Sequence, residues 1–304
     1  MLKHKLMAMT LGAMLVLPMM AQATYQPNKA LDAQIAQELQ HGDNADWKVL
    51  FGLYKKTAAL GSAEGQIGLA KAYAYGNGTK QSSKLAIESL LKAIKQGDAG
   101  AMHLMGSFYD PANSRVAGIE ADQKEAMKWY LLSIASISKE DLAANKGDVA
   151  WGLEPLAKAY ETGNGVKQDG EKAIKFYRIL SKIEGREDAL INIGDIYRQG
   201  KIVPKNPAKA MSAYMEASKI ESTYGDEYRI GDMYYKGEGV KQDYTKAFEW
   251  FGKAAAAGDV DGYLTAGKML AAGTGVPKSQ EVAKQWFELA CDGGSEEGCK
   301  LAKR

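Results

Sequence analysis

The chain has 304 residues, of which 39 are Lys or Arg, 37 are Asp or Glu, and 46% are hydrophobic. This near balance of charge argues against a nucleic-acid partner, because nucleic-acid binding is driven by the neutralisation of phosphates. It also argues against electrostatic docking to an anionic membrane surface, which needs a cluster of basic residues.

The first 23 residues have the features of a secretory signal peptide. Lys3 and Lys5 form a short basic head, an apolar run follows, and Ala21-Gln22-Ala23 gives the small-x-small pattern of a cleavage site. We expect cleavage after Ala23 and a periplasmic product without a membrane anchor. Loss of the two lysines leaves 37 basic and 37 acidic residues. A retained N-terminal anchor is the alternative, although the apolar run is short for a membrane span.

A stretch that contains Gly-x-Gly recurs along the chain at a nearly constant interval. Its first glycines include Gly163, Gly200, Gly237 and Gly273, which are 37, 37 and 36 residues apart. A fixed period of this length is typical of stacked repeats, whereas a nucleotide-binding loop occurs once in a chain. The glycines are therefore interpreted as turns between the two helices of a repeated unit.

A helix is predicted after the glycines of each unit. A Ser, Asp or Asn lies six residues after the first Gly, where its side chain can cap the first turn. A small residue lies four positions after the cap and, in most units, an aromatic residue lies eight positions after it. Both are on one face of that helix. The predicted caps are Asp46, Ser82, Asp122, Asp169, Asn206, Asp243 and Ser279.

Another helix is predicted before the glycines of each unit. Its marker is a small residue that is followed three positions later by Tyr in most copies, as in Ala157 and Tyr160. A Gly within a helix costs roughly 1 kcal/mol relative to Ala, so its repetition indicates close approach of two helices. The small markers are Ala70, Gly106, Ala157, Gly194, Gly231 and Gly267.

The whole pattern resembles the Sel-one-like repeat family, which is related to tetratricopeptide repeats. The Gly-x-Gly-Val turns at Gly163–Val166, Gly237–Val240 and Gly273–Val276 carry the resemblance, together with the cap and the small and aromatic positions after it. The resemblance implies an all-α fold, a right-handed α/α superhelix, or solenoid, of about six repeats with atypical terminal helices. The second unit departs from the pattern, because a loop that contains Pro111 replaces its Gly-x-Gly.

The domain boundaries follow from the positions of the repeats. We expect capping helices in residues 24–62, the solenoid in residues 63–294 and a final capping helix in residues 295–304. The markers Gly106 and Ala157 are 51 residues apart instead of about 37, which implies extra residues in that unit. We place the insertions near residues 110–121 and 138–148.

The two cysteines, Cys291 and Cys299, lie on either side of the Gly293-Gly294 turn. Helix ends joined by a tight turn can bring two Cα atoms within bridging distance, and an oxidising compartment favours the disulfide. A cysteine-rich bacterial branch of the resembled family has a bridge with this spacing. Two free thiols are the alternative, and a metal site is disfavoured because no His lies near the pair.

Motifs for catalysis are sparse. The sequence has no Gly-x4-Gly-Lys-Ser/Thr and no His-Glu-x-x-His, and only His41 and His103 remain after residue 23. Ser136-Ile-Ser-Lys139 matches the Ser-x-x-Lys of penicillin-recognising enzymes, but the companion Ser-Asp-Asn and Lys-Thr-Gly elements are missing. We predict no enzyme activity, no cofactor and no metal. A weak β-lactam-binding or hydrolysing enzyme of the cysteine-rich branch is the alternative.

The concave face of such a stack is the predicted binding surface for another protein. By analogy with tetratricopeptide repeats, the positions one after and three before the small marker face inward; an ordinary solvated face is the alternative. The inward residues are Lys71, His103, Ser107, Glu154, Lys158, Asp195, Tyr228, Asp232 and Lys268.

The insertions are the second candidate surface, because long loops in compact repeats often carry function. The candidate residues there are Asp110, Arg115, Glu120 and Trp151.

The resemblance implies an adaptor function. Family members with this layout include envelope regulators, scaffolds for exopolysaccharide assembly and immunity proteins that neutralise secreted antibacterial effectors such as phospholipases. We predict a periplasmic, non-catalytic protein-interaction module that serves as an immunity protein or an envelope regulator and is monomeric when free. Its partner would be an effector, a sensor or an envelope component, and an assembly scaffold is the alternative role.

Overall fold

The computed structural model describes residues 28–113, 116–137, 150–220 and 226–303. Over these ranges the regular secondary structure consists of α-helices and one short 3-10 helix, which confirms the all-α prediction. No helix in the described ranges combines the length and the apolar character needed to cross a membrane. The predicted signal peptide in residues 1–23 lies outside the described residues.

The chain divides into two compact units, and unit 1 ends at Asp122. Each of its described helices packs against the next one in sequence. The 3-10 helix Gly42–Asn44 follows the first helix. The α-helices of unit 1 are α1 (Lys29–Leu39), α2 (Trp47–Ala59), α3 (Ala63–Tyr75), α4 (Ser83–Ile94) and α5 (Ala99–Tyr109).

Unit 2 begins at Gln123 and also consists of helices that pack against their neighbours in sequence, as the helix pairs of an α/α solenoid do. Its hairpins pair α7 with α8, α9 with α10, α11 with α12, and α13 with α14. Its helices are α6 (Gln123–Ala135), α7 (Ala150–Thr162), α8 (Gly170–Glu184), α9 (Glu187–Gln199), α10 (Pro207–Ala217), α11 (Asp226–Lys236), α12 (Tyr244–Ala256), α13 (Val260–Ala272), α14 (Gln280–Asp292) and α15 (Glu296–Ala302).

The predicted caps explain where the second helices begin. The Asp169 carboxylate accepts a hydrogen bond from the Lys172 N–H at 3.1 Å, an interaction of the kind that stabilises a helix by about 1 kcal/mol. Helix α6 begins directly after Asp122. The caps confirmed by a side-chain hydrogen bond are Asp46, Ser82, Asp169, Asn206, Asp243 and Ser279.

A backbone hydrogen bond closes each hairpin turn. The cap residue donates its N–H to the carbonyl of the residue three positions after the small marker, as Asp169 does to Tyr160 at 2.9 Å. This residue is Tyr in most repeats and Leu270 in the last hairpin, where Ser279 donates at 3.0 Å. The longer loop of the second repeat, which lies in unit 1, ends in the same way, because the Asp122 N–H donates to the Tyr109 carbonyl at 2.8 Å. The loop that replaces Gly-x-Gly therefore preserves the closing bond of the turn.

The two glycines of a turn have separate structural roles. Gly163 and Gly165 both have a positive φ, 82° and 75°, which favours glycine over other residues. A Cβ on Gly165 would also lie 2.8 Å from the carbonyl oxygen of Gln123, at the start of α6. The second glycine therefore allows the turn to pack directly on the start of α6.

The small markers and the aromatic residues pack against each other, as the sequence predicts. A Cβ on Gly194 would lie 2.3 Å from the Tyr214 ring, and one on Gly231 would lie 2.8 Å from the Phe251 ring. Both rings are fully buried. Removing a buried ring of this size costs about 3–5 kcal/mol, so this contact stabilises each hairpin.

A disulfide joins the last two helices. Cys291 at the end of α14 and Cys299 in α15 are bonded, with their Cα atoms 4.5 Å apart. The bond confirms the predicted pairing.

Candidate protein-binding face

The predicted inward residues of unit 2 lie on its successive first helices, α7, α9, α11 and α13. The Asp195 carboxylate on α9 faces Arg229 on α11, the Tyr228 hydroxyl lies 3.4 Å from the Thr265 hydroxyl on α13, and Lys268 pairs with α15. Side chains one repeat apart are therefore neighbours on this face. The first-helix row consists of Glu154, Lys158, Asp195, Tyr228, Asp232 and Lys268.

The two predicted acidic residues in the middle of the row are engaged within unit 2. Asp195 accepts a hydrogen bond from the Tyr214 hydroxyl at 2.6 Å and pairs with Arg229 at 3.2 Å, and its side chain is 31% exposed. Asp232, whose side chain is 17% exposed, pairs with Arg198. Burial and the hydrogen bond to Asp195 raise the pKa of the Tyr214 hydroxyl. Both carboxylates therefore hold adjacent repeats together.

Arg198 links the row to the hairpin turn of the next repeat. Its Nε lies 3.0 Å from a carboxylate oxygen of Glu238, whose other oxygen lies 2.9 Å from Lys205 Nζ. Glu238 is partly buried, which raises the pKa of its carboxyl, but the hydrogen bonds from Lys205 and Arg198 outweigh this effect and lower the pKa below its usual range. The network fixes the first helix of one repeat against the turn of the next.

The outer members of the row remain open to solvent. The side chain of Lys158 is 60% exposed and pairs within its own helix, with Glu161 at 3.1 Å. Glu154 pairs with Arg186 at 3.1 Å, and Lys268 pairs with Glu297 at 2.8 Å, with both acidic side chains more than half exposed. Exposed ion pairs contribute at most about 1 kcal/mol, so these three residues can exchange their present pairs for a partner.

Unit 1 carries the remaining predicted inward residues. Lys71 is exposed on α3, and His103 and Ser107 are partly buried on α5. The Ser107 hydroxyl donates to the Leu104 carbonyl at 3.0 Å, within its own helix. Of these three side chains, Lys71 is the most accessible to a partner.

Of the four candidates in the insertions, Asp110 and Glu120 have side chains that the structure describes. Asp110 is buried and accepts a hydrogen bond from the Ala112 N–H at 3.0 Å, which indicates a structural role in the loop. Glu120 is exposed. Arg115 lies outside the described residues, and so does the side chain of Trp151, whose backbone belongs to α7.

The Ser-x-x-Lys motif also extends beyond the described part of the chain. The Ser136 hydroxyl donates to the Ser133 carbonyl at 2.7 Å at the end of α6. Lys139 lies outside the described residues.

Sequence reasoning missed a buried cluster of carboxyl groups in unit 2. Asp226 begins α11 and is 0% exposed, and Glu187 at the start of α9 is also buried. Burial raises the pKa of Asp226 well above its usual range, and the neighbouring carboxyls of Glu227 and Glu187 raise it further. Within the described ranges, no group of three or more His, Cys, Asp or Glu side chains is arranged to hold a metal ion.

The signal for this cluster is visible in the repeat pattern. The position five residues before the small marker holds Gly152, Ala189 and Gly262 in other repeats of unit 2, and Asp226 takes that place in α11. A Cβ on Gly262 would lie 2.7 Å from the backbone of α12, so the position packs tightly against the preceding helix. Because this position otherwise holds small residues that pack closely, an Asp there indicates a buried carboxyl group.

The model of the Sel1 repeat family matches this chain in six segments. Together they span most of the residues from Ala63 to Ser295. The matched residues are 63–98, 99–136, 156–182, 187–212, 227–259 and 263–295.

Solved bacterial structures are similar to the chain in fold. One is a protective antigen of uropathogenic Escherichia coli strains that displays an SLR fold, with 24% identity over 82% of this chain and a TM-score of 0.60. This chain spans 50% of the length of that structure. A Sel1 repeat protein from Oxalobacter formigenes is 24% identical over 79% of this chain and 88% of its own length, with a TM-score of 0.56.

An immunity protein from Pseudomonas aeruginosa is a more distant neighbour. It is 18% identical over 76% of this chain and 81% of its own length, with a TM-score of 0.35.

Proposed function

The chain belongs to the Sel1 repeat family, a family of protein-interaction modules, and we propose that it acts in the periplasm by binding another protein, without catalysis. The observation that supports this proposal is the first-helix row of unit 2. Its central carboxylates are held by arginines of neighbouring repeats, and its outer charges at Glu154, Lys158 and Lys268 are open to solvent. A surface fixed in this way loses little conformational entropy when a partner binds.

The composition of the row favours a folded protein as partner. The row contains three acidic residues, two basic residues and one Tyr, which suits a partner surface of mixed charge better than a polymer of one sign. Tyr228 in its middle packs against Phe251 at 5.1 Å between ring centroids and is partly exposed, as anchors of protein interfaces commonly are.

The periplasm is the proposed compartment. The Cys291–Cys299 disulfide is the state expected where thiols are oxidised, and reducing compartments disfavour it. The signal-peptide features of residues 1–23 also predict export to an oxidising compartment.

Two biological roles fit such a module. We propose an immunity protein that neutralises a secreted antibacterial effector, such as a phospholipase, or a regulator that binds a sensor or another envelope component.

The test uses exposed residues of the row, because reversing the charge of Asp195 or Asp232 would also break contacts between repeats. Partners are captured from periplasmic extract, identified by mass spectrometry, purified and titrated against the double variant Lys158→Glu, Lys268→Glu. The matched control is Lys175→Glu, Lys284→Glu, which reverses two exposed lysines on the second helices of the same hairpins.

We expect affinity for the captured partner to fall at least about tenfold in the row variant and to stay unchanged in the control, because two charge contacts become repulsive. Circular dichroism verifies that both variants keep the helical fold. If the folded row variant binds as tightly as the parent, the row is not part of the interface.

A further inference from the structure

A second charged surface lies at the hairpin turns of unit 2, beside the ends of the helices. Segments 198–209 and 236–246 carry seven basic and two acidic residues, although the whole chain is almost balanced. The basic turn surface consists of Lys201, Lys205, Lys209, Lys236, Lys241 and Lys246.

Both acidic residues of these segments are already occupied. Glu238 pairs with Arg198 and Lys205, and Asp243 caps α12 by accepting a hydrogen bond from the Lys246 N–H at 3.0 Å. Exposed Lys201, Lys209 and Lys241 form no ion pair with any residue in the described ranges. The surface therefore presents positive charge that the chain itself does not neutralise.

The two segments form one contiguous surface. Lys205 in one turn pairs at 2.9 Å with Glu238 in the next. A Cβ on Gly239 would lie 2.5 Å from the backbone carbonyl carbon of Pro207, so the second turn packs directly on the start of α10. The lysines of the two turns therefore face solvent side by side.

Lysines at the start of the second helices oppose the helix dipole. Lys172, Lys209 and Lys246 each lie three residues after the cap, where a cation costs about 0.3–1 kcal/mol. Each ammonium group lies over the ring of a marker Tyr, at 5.0, 4.9 and 5.4 Å from the centroid. This cation–π contact offsets part of the cost, and Lys172 and Lys246 also pair with their cap carboxylates at 3.4 and 3.8 Å.

An exposed aromatic pair lies within the same surface. The rings of Tyr235 at the end of α11 and Tyr244 at the start of α12 are 5.1 Å apart in an edge-to-face arrangement, and each residue is 37% exposed. Tyr is enriched among residues that dominate binding energy at protein interfaces. The lysines around this pair of rings would form charge contacts with a partner and attract it at long range.

We propose that the basic turn surface and the Tyr235–Tyr244 pair bind an acidic segment of a protein partner, at a site separate from the first-helix row. Carboxylates of the segment pair with the free lysines, and an apolar side chain packs on the two rings. Each exposed ion pair contributes at most about 1 kcal/mol, so the rings supply the specificity. The near-neutral chain outside this surface disfavours a long nucleic acid, which gains affinity from many phosphate contacts.

The test measures fluorescence anisotropy of a fluorescein-labelled, glutamate-rich peptide with a central tryptophan, titrated with the full chain at low salt. The charge variant is Lys201→Glu, Lys209→Glu, Lys241→Glu, and the aromatic variant is Tyr235→Ala, Tyr244→Ala. The matched charge control reverses three exposed lysines of unit 2 that lie away from the turns. The control substitutions are Lys182→Glu, Lys219→Glu and Lys284→Glu.

The proposal predicts that the charge variant binds the peptide at least about tenfold more weakly and that the control binds like the parent. The aromatic variant should lose about five- to tenfold and retain the salt dependence. An absence of peptide binding by the parent, equal binding by the charge variant, or an equal loss in the control would overturn the proposal. Tighter binding of a single-stranded oligonucleotide than of the peptide would assign the surface to nucleic acid and overturn it as well.

Discussion

Replacing the buried carboxylate of Asp226 by Ala should stabilise unit 2. The side chain of Asp226 is 0% exposed, and its two carboxylate oxygens have no hydrogen-bond partner in the described part of the chain. Ala189 occupies the equivalent position of α9 and is fully buried there. Asp226→Ala therefore removes a buried charge and leaves a side chain that the repeat already accommodates.

The size of the effect depends on pH. Burial and the Glu227 and Glu187 carboxyls raise the pKa of Asp226 in the folded state above its unfolded value of about 4. A raised pKa means that the protonated group favours folding, so its contribution is fully present below about pH 4 and is lost as pH rises through the folded pKa. Leaving a buried polar group unsatisfied costs about 1–3 kcal/mol, and more when it is charged. We expect Asp226→Ala to raise the unfolding free energy by about 2 kcal/mol or more near pH 8, and by less near pH 5.

The assay is urea unfolding followed by far-UV circular dichroism at several pH values between about 5 and 8, where the carboxyl titrates. Asp261→Ala is the control, because Asp261 also lies in the first turn of a first helix but is exposed. The control should stay within about 0.5 kcal/mol of the parent. A variant at Asp226 that is less stable than the parent near pH 8, or that keeps the parent's pH dependence, would refute the reasoning.

Further substitutions test the contacts within and between repeats. Tyr214→Phe deletes the hydroxyl that donates to Asp195 and should lower the unfolding free energy by about 1 kcal/mol in urea unfolding. Gly239→Ala should lower the melting temperature by several degrees, because φ is 75° and the new Cβ would lie 2.5 Å from Pro207; a parent-like melting temperature would contradict this packing. Cys299→Ser should cost about 2–3 kcal/mol under oxidising conditions and nothing in dithiothreitol, as measured by unfolding with and without the reductant.

Gly258→Ala provides the comparison for Gly239→Ala. Gly258 also has a positive φ, of 90°, but a Cβ there would meet nothing within 4 Å. Its substitution should show only the cost of backbone strain, about 1 kcal/mol. Equal falls in melting temperature for both variants would mean that contact between adjacent turns adds nothing to stability.

The fold was predictable because its determinants are local and repeated. A cap such as Asp169 and turn glycines such as Gly163 and Gly165 act within a few residues of their position in the chain. The match between Gly194 and the Tyr214 ring repeats at Gly231 and Phe251, so a spacing in the sequence reports a contact in space.

The candidate site was only partly predictable, because ion pairs between repeats join residues far apart in the chain. Asp195 and Asp232 were assigned to a partner, but they meet Arg229 and Arg198, both 34 residues away. The repeat spacing predicts which positions share a face. It does not predict which charges on that face neutralise one another, since long side chains reach several neighbours.

The central claim is tested most directly by isothermal titration of the purified partner with the parent, the Lys158→Glu, Lys268→Glu variant and the Lys175→Glu, Lys284→Glu control. The account predicts a dissociation constant at least about tenfold higher for the first variant and unchanged for the control. Equal dissociation constants for all three folded proteins would contradict it.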